Sequence, residues 1–136
     1  MSTTKIIKGY RMDRPLGAGG MGSVYVAEKL ATHQPFAVKF MQDHLVADPS
    51  YVVRFEREIS ALRAIRHPNV VDVFEWNLPT PGANESPFVV MELLDGEGLD
   101  RLLKRKPVLP AGMSVEIVLQ VLDGLAAAHS VGVIHR

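Results

Sequence analysis

The chain has 136 residues, 47% hydrophobic and 22% charged, with 15 basic against 15 acidic side chains and a formal net charge of zero. That composition supports a globular core and gives no basic footprint for nucleic acid. Cysteine is absent, which excludes disulfides and thiolate metal sites and fits a reducing compartment. The start, MSTTKIIKGY, has no apolar signal-peptide core, and no stretch approaches the roughly 20 apolar residues of a membrane span. The expectation is a soluble, cytoplasmic chain with no membrane segment.

The first forty residues read as three short antiparallel strands. YRMDRPLG leads into the glycine cluster GAGGMG, and SVYVAEKL then shows partial alternation with β-branched and aromatic residues. ATHQP reads as a turn and FAVKFM as the third strand.

A helix follows. Asp48 is a candidate N-cap and Pro49 suits the first helical position. Phe55, Ile59, Leu62 and Ile65 recur at helical spacing and form an apolar stripe. HPN at 67–69 ends the helix, because Pro68 disfavours a helical residue before it. VVDVFEW (70–76) and PFVVMEL (87–93) read as buried strands, separated by the Pro-, Gly- and Asn-rich loop NLPTPGANES. LDRLLKRK is a short helix.

The last long element, SVEIVLQVLDGLAAAHSV (114–131), reads as a helix. Val115, Val118, Leu122 and Leu125 mark one face, and Ile117, Leu119, Val121 and Ala126–Ala128 carry the apolar surface well beyond it. A helix apolar around most of its girth expects burial on several sides. Little sequence after Leu94 is available to cover it.

GAGGMGSV at 17–24 fits G-x-G-x-x-G-x-V. In a dinucleotide-binding fold the same spacing opens a helix. Here a strand pattern follows Gly22, so the glycines form a hairpin flap. Without Cβ atoms, such a backbone can approach a polyphosphate closely and turn its amides to it. A flexible turn would read the same way. Ala37-Val38-Lys39 lies on the next strand. A lysine in an apolar strand needs partners, and a phosphate and a carboxylate would serve. Glu58, one position before Ile59 of the stripe, is the candidate carboxylate. A snorkelling lysine and a solvated glutamate are the plainer alternative.

In combination these features are far more specific. The glycine loop, Ala-Val-Lys, RFEREISALRAIRHPNVV, FVVMELLDG and GLAAAHSVGVIHR stand in the order and spacing of a protein kinase. From about Tyr10 to Arg136 the chain resembles that family, and LGAGGMGSVY most resembles bacterial eukaryotic-type (Hanks-type) serine/threonine kinases.

The resemblance implies an α+β fold. A small lobe at 10–93, with a five-stranded antiparallel sheet and one long helix, follows a tail at 1–9. A hinge at 94–98 leads to the start of a large lobe at 99–136. It implies that Gly17, Ala18, Gly19, Gly20, Met21 and Gly22 cover the phosphates of ATP. Leu16, Val24 and Ala37 would enclose the adenine. Lys39 would bind the α- and β-phosphates and pair with Glu58. Met91 would be the gatekeeper, with Glu92 and Leu94 offering backbone groups to the adenine edge. Leu62, Val73 and His135 would join the regulatory spine. Gly98 stands where many relatives carry a polar residue for the ribose, and Asp100 is a candidate substitute.

His135-Arg136 match the first two residues of His-Arg-Asp. The catalytic aspartate and the Mg²⁺ ligands of the complete kinase would lie beyond Arg136. Residues 1–136 alone are therefore expected to be inactive, and no metal site is read within them. A protein substrate belongs to the complete kinase. Two alternatives stand beside an amino-terminal kinase fragment. One is a natural truncated kinase that binds nucleotide or a partner. The other is a Rossmann-type dinucleotide binder, disfavoured by the strand after Gly22.

Overall fold

The computed structural model describes residues 5–134 apart from 20–21, 43, 45–46, 81–82 and 84, and for Ala18 and Gly19 it describes the backbone only. The expected roles of Gly20, Met21 and His135 lie outside the described residues.

Strands β1 (Ile6–Ile7), β2 (Tyr10–Gly19), β3 (Gly22–Lys29) and β4 (Gln34–Phe40) are followed by helix α1 (Pro49–Ala64). Strands β5 (Val73–Asn77) and β6 (Phe88–Glu92) come next, then helices α2 (Leu99–Arg105) and α3 (Ala111–Ser130). The strands form one antiparallel sheet in the order β1-β2-β3-β4-β6-β5. The sixth strand, beyond the five expected, lies in the segment read as a tail. Lys8 and Gly9, with φ of 47° and 86°, form a tight left-handed turn that folds Ile6–Ile7 back onto Tyr10–Arg11.

Strand alternation divides the sheet into two faces. One face carries Tyr10, Met12, Ala27, Val38, Phe88 and Val90, packed with Ile7, Tyr25, Phe36 and Phe40. The sheet curls around this cluster. Lys29 of β3 and Glu75 of β5 stand three places apart in the strand order, yet their side chains pair at 2.6 Å. Tyr10–Phe36 and Phe36–Phe74 edge-to-face contacts, with centroids 5.8 and 5.2 Å apart, fill the closure. The other face carries Val73 and Val89, covered by Ile59 of α1 with Phe55, Leu62 and Trp76 around them.

The start of α1 is as the sequence predicts. Asp48 accepts the Ser50 N–H at 2.9 Å and Pro49 opens the helix. The helix ends at Ala64, before HPN, because Ile65 is extended (φ −76°, ψ 127°) and buries its side chain. Helix α3 begins at Ala111, ahead of the expected Ser114; Pro110 takes the N-cap, and the Ser114 hydroxyl donates to the Pro110 carbonyl at 3.3 Å. Along α3 the only buried residue is Gly124. Val115, Val118, Leu119, Val121 and Leu122 are each more than half exposed. Contrary to expectation, α3 is long and apolar enough to cross a membrane, with mean hydropathy 1.4. Ser114, Glu116, Gln120 and Asp123 interrupt it, with His129 and Ser130 at its end, and its average hydropathy tolerates them. One such helix is weak evidence for a span.

Candidate functional site

The site is built by strand register. Residues opposite each other on neighbouring strands share a face. Gly17 pairs with Val24, Val24 with Lys39, and Lys39 with Val89. The next row on the same face is Val26, Ala37, Met91 and Val73. Thus Gly17, Val24, Ala37, Lys39 and Met91 lie on one face, from strands that span most of the small sheet. It is the face on which α1 packs, but α1 sits over Val73, Val89 and Trp76 at the β5–β6 side. The side bearing Gly17, Val24 and Lys39 lies beyond that cluster. Leu16 falls at an irregularity between Pro15 and Gly17, without a partner in the ladder.

The glycine flap is a β-hairpin, with Ala18 opposite Ser23 and Gly19 opposite Gly22. A Cβ at Gly17 would meet nothing within 4 Å, so the backbone there is open to close approach. Gly22 differs: its φ is 127°, and a Cβ would fall 1.8 Å from the Phe40 carbonyl oxygen.

Lys39 is half-buried and Glu58 is exposed. Among the described residues no ion pair joins them. The packing explains the separation, because α1 is anchored over β5 and β6 while Lys39 stands on β4. Its contact near the end of β4 is Tyr51, whose hydroxyl donates to the Met41 sulfur at 3.7 Å while its ring stacks on Phe55. Burial pushes the Tyr51 phenol above its ordinary value; the Arg54 charge opposes that rise and the Glu58 charge adds to it.

At the far end of the site, Met91 and Glu92 close β6 and both are partly buried. Leu94 is exposed, and its N–H makes no hydrogen bond among the described residues. Asp72 holds the strand end. Its carbonyl accepts the Glu92 N–H at 3.0 Å, and its own N–H donates to the Glu92 carboxylate at 2.9 Å. Arg66 donates to the Asp72 carboxylate at 2.9 Å, tying the same loop to the end of α1. The sequence reading gave the Glu92 side chain no task; nothing in its spacing reveals a partner twenty residues earlier. The loop also carries α3. Asn69 donates to Gln120 at 3.3 Å, and its carbonyl lies so close to Gly124 that a Cβ there would fall at 2.6 Å. Around the expected ribose position, Asp100 fills the space beside Gly98: a Cβ on Gly98 would meet its carboxylate oxygen at 2.5 Å.

A concavity of about 1030 Å³ lies on the opposite face, lined by Lys5, Tyr25, Phe40 and the Arg11–Glu28–His33 cluster. His33 first, then Arg11, hold the Glu28 carboxyl below its ordinary value. This hollow is separate from the row that carries Lys39.

The Protein kinase domain family model matches residues 10–136. The chain belongs to the protein kinase family. Among curated relatives, serine/threonine-protein kinase Pkn1 of Myxococcus xanthus is 39% identical over 127 residues, which is 93% of this chain and 18% of that protein. Serine/threonine-protein kinase PknB of Mycobacterium leprae is 34% identical over 127 residues, again 93% of this chain and 20% of the relative. Among solved structures, the PknI kinase domain of Mycobacterium tuberculosis superposes with a TM-score of 0.81 at 28% identity, covering 100% of this chain and 54% of that domain. The chain thus spans about a fifth of the curated kinases it matches and about half of the solved kinase domain. The α+β fold with an antiparallel sheet and a packed helix is a kinase small lobe, and the related kinases are bacterial serine/threonine enzymes.

The kinase family implies ATP and Mg²⁺. For ATP the donor set fits: an open backbone at Gly17, a Lys39 ammonium on the same face with no ion pair among the described residues, and a Leu94 amide with no hydrogen bond among them. For Mg²⁺ it does not. Among the described residues no three His, Cys, Asp or Glu side chains gather to hold a metal ion.

Proposed function

We propose that this chain is the ATP-binding part of a protein serine/threonine kinase. The observation that carries the reading is the cross-strand row Gly17–Val24–Lys39 beside Ala37–Met91 on one sheet face. The bound nucleotide would supply the phosphoryl group. Lys39 would neutralise its α- and β-phosphates, the flap backbone at 17–22 would face them, and Leu16, Val24 and Ala37 would enclose the base. Glu58 would orient Lys39 once α1 brings the two together.

Phosphoryl transfer depends on positioning and on neutralising charge. No aspartate follows His135-Arg136 in these 136 residues, and among the described residues no metal ligands gather. A polypeptide of these residues therefore binds ATP weakly and transfers no phosphate. Calorimetric titration should show ATP binding at up to millimolar concentration, lost in Lys39→Met. Absence of any response sinks the binding claim, and magnesium-dependent phosphorylation of a generic substrate, abolished by Lys39→Met, sinks the claim of inactivity. The apolar face of α3 favours a second reading, a partner-binding module; a pull-down that needs Val118 and Leu122 would support it. The protein substrate and a cytoplasmic location remain part of the proposal. So does the absence of a membrane segment, supported by the place of α3 within the stretch matched to the kinase domain.

A further inference from the structure

Strand β1 is the sixth strand, and ATP binding gives it no task. Lys8 and Gly9, both with positive φ, make the two-residue turn of a tight hairpin, so Ile7 and Tyr10 beside it form a hydrogen-bonded pair. Two places along, the Lys5 carbonyl accepts the Met12 N–H at 2.9 Å. Hydrogen-bonded and non-hydrogen-bonded pairs alternate along an antiparallel ladder, so the intervening Ile6–Arg11 pair is non-hydrogen-bonded. The Ile6 N–H and C=O therefore point away from β2, to the edge where β1 ends the strand order. Such groups are a template for another strand. A hollow of about 360 Å³ lies along that edge, between Lys5–Lys8 on one wall and Asn77, Glu85, Ser86 and Phe88 on the other. Lys8 reaches across to Glu85 at 3.3 Å, and Asn77 donates to the same carboxylate at 3.3 Å, which closes one end. The Lys5 ammonium makes no ion pair among the described residues and lies 5.1 Å from the centroid of the Phe40 ring. Two lysines against one glutamate leave the hollow positive.

We infer that β1 is a docking edge: it takes an extended segment of a partner protein as a seventh, antiparallel strand, in which an aliphatic residue stands two places before an acidic one. Strand addition draws affinity from main-chain hydrogen bonds and specificity from alternate side chains. The partner residue opposite Ile6 exchanges both backbone bonds with it. Its two neighbours then share the face of Lys5 and Ile7. The neighbour beside Lys5 is a carboxylate, which answers the ammonium. The neighbour beside Ile7 is aliphatic, because Ile7 packs on the apolar cluster that contains Phe88. A second copy of this chain is a poorer occupant. Pairing β1 with itself about Ile6 sets each Lys5 against an Ile7 and lines one seam with Lys5 and Lys8 of both copies.

The test is an NMR titration of the full 136-residue chain with the probe peptide acetyl-Ser-Val-Thr-Glu-Ser-amide. The Lys5, Ile6, Asn77 and Ser86 resonances should move, the Ile6 amide should become protected from exchange, and α3 should stay unchanged. The same peptide N-methylated on its threonine keeps its charge but loses the donor to Ile6. It should bind at least about fivefold more weakly, the worth of one hydrogen bond. Lys5→Glu should weaken the parent peptide by at least about fivefold through charge reversal, and a peptide with lysine in place of its glutamate should recover the loss. Lys39→Met should leave the affinity unchanged, so failure of the ATP-binding reading would not touch this one. No binding at millimolar peptide overturns the inference, as does equal binding of the N-methylated peptide or an unchanged affinity in Lys5→Glu. Shifts confined to α3 overturn it by assigning the peptide to that helix. An Ile6 amide protected before peptide is added, at any chain concentration, shows the edge already taken, by the chain itself or by a second copy, and overturns it too.

Discussion

At Gly22 the backbone φ is 127°, and a Cβ would lie 1.8 Å from the Phe40 carbonyl oxygen. Neither the dihedral nor the contact tolerates a side chain. Gly22→Ala should therefore cost at least about 2 kcal/mol of stability, from left-handed strain and from displacing a backbone oxygen. At Gly17 a Cβ meets nothing within 4 Å, so Gly17→Ala should change stability by no more than about 0.5 kcal/mol. It should still weaken ATP, because the methyl group would stand where the backbone has to approach a phosphate. Urea unfolding and nucleotide titration of the two variants separate these effects; equal destabilisation by both would refute the distinction. The G-x-G-x-x-G spacing makes both glycines visible in the sequence, but not their different reasons. The reason at Gly22 is the β3–β4 register, which sets Ser23 opposite Phe40. The same register sets Lys39 opposite Val24, and neither that pairing nor the distance from Lys39 to Glu58 was legible in the sequence. That distance depends on where α1 docks, and the apolar stripe of α1 fixes which face docks without fixing the docking position.

Among the elements, those with local signals were legible. Asp48-Pro49 announces the start of α1, and alternating apolar residues announce β3 and β4. The misplaced boundaries have non-local causes: Ile65 leaves the helix to bury itself, and α3 starts on Pro110 with no capping side chain to mark it. The closure of the sheet was also hidden, because Lys29 and Glu75 lie 46 residues apart in sequence. That ion pair makes a prediction about pH. Lys29 holds the Glu75 carboxyl below its ordinary 4.5, chiefly through the hydrogen bond between them. Glu75 in turn raises Lys29 above its ordinary 10.5. Tyr10, whose buried hydroxyl has no hydrogen-bond partner of good geometry among the described residues, is raised by burial first and by Glu75 next. A lowered acid stabilises the fold fully above its unfolded value and loses that contribution as pH falls through its folded value. A raised lysine or phenol stabilises it fully below its unfolded value and loses that contribution as pH rises through its folded value. The pair therefore contributes in full between the ordinary carboxyl and lysine values, and fades outside them. Glu75→Gln should melt below the wild type at neutral pH, with the gap closing as pH drops below 4.5. A gap that stays constant into acid would refute the claim. The joint of α3 to the small lobe gives a second test. Gly124→Ala gains about 1 kcal/mol of helix propensity but drives a Cβ to 2.6 Å from the Asn69 carbonyl. Overpacking against rigid backbone costs about 1–3 kcal/mol, so the clash should win. Loss of the Asn69–Gln120 contact, followed by NMR, would report it; an unshifted Asn69 resonance would refute it.

Taken whole, the molecule has a small lobe with apolar clusters on both sheet faces and, outside it, a helix joined to it at Asn69. Helix α3 touches the lobe at Asn69 and leaves Val115, Val118, Leu119, Val121 and Leu122 each more than half exposed. A contiguous apolar face of this kind marks an interaction surface or an aggregation liability. In a polypeptide of these 136 residues, a second copy is the cover always at hand. Two faces brought together would bury further area on ten half-exposed side chains, each worth about 1 kcal/mol at that depth. The entropy and ordering cost of association is about 4–15 kcal/mol. The two nearly balance, so pairing should be weak and should grow with concentration across the high-micromolar range. Sedimentation velocity should show a monomer at low concentration that shifts to faster species as concentration rises. Val118→Glu with Leu122→Glu should remove the shift without lowering the melting temperature of the small lobe, since both side chains point away from its core. A wild-type chain that stays monodisperse and monomeric at millimolar concentration would mean that α3 has turned its apolar face onto the lobe. The Asn69–Gln120 bond and the close approach at Gly124 would then both have to break.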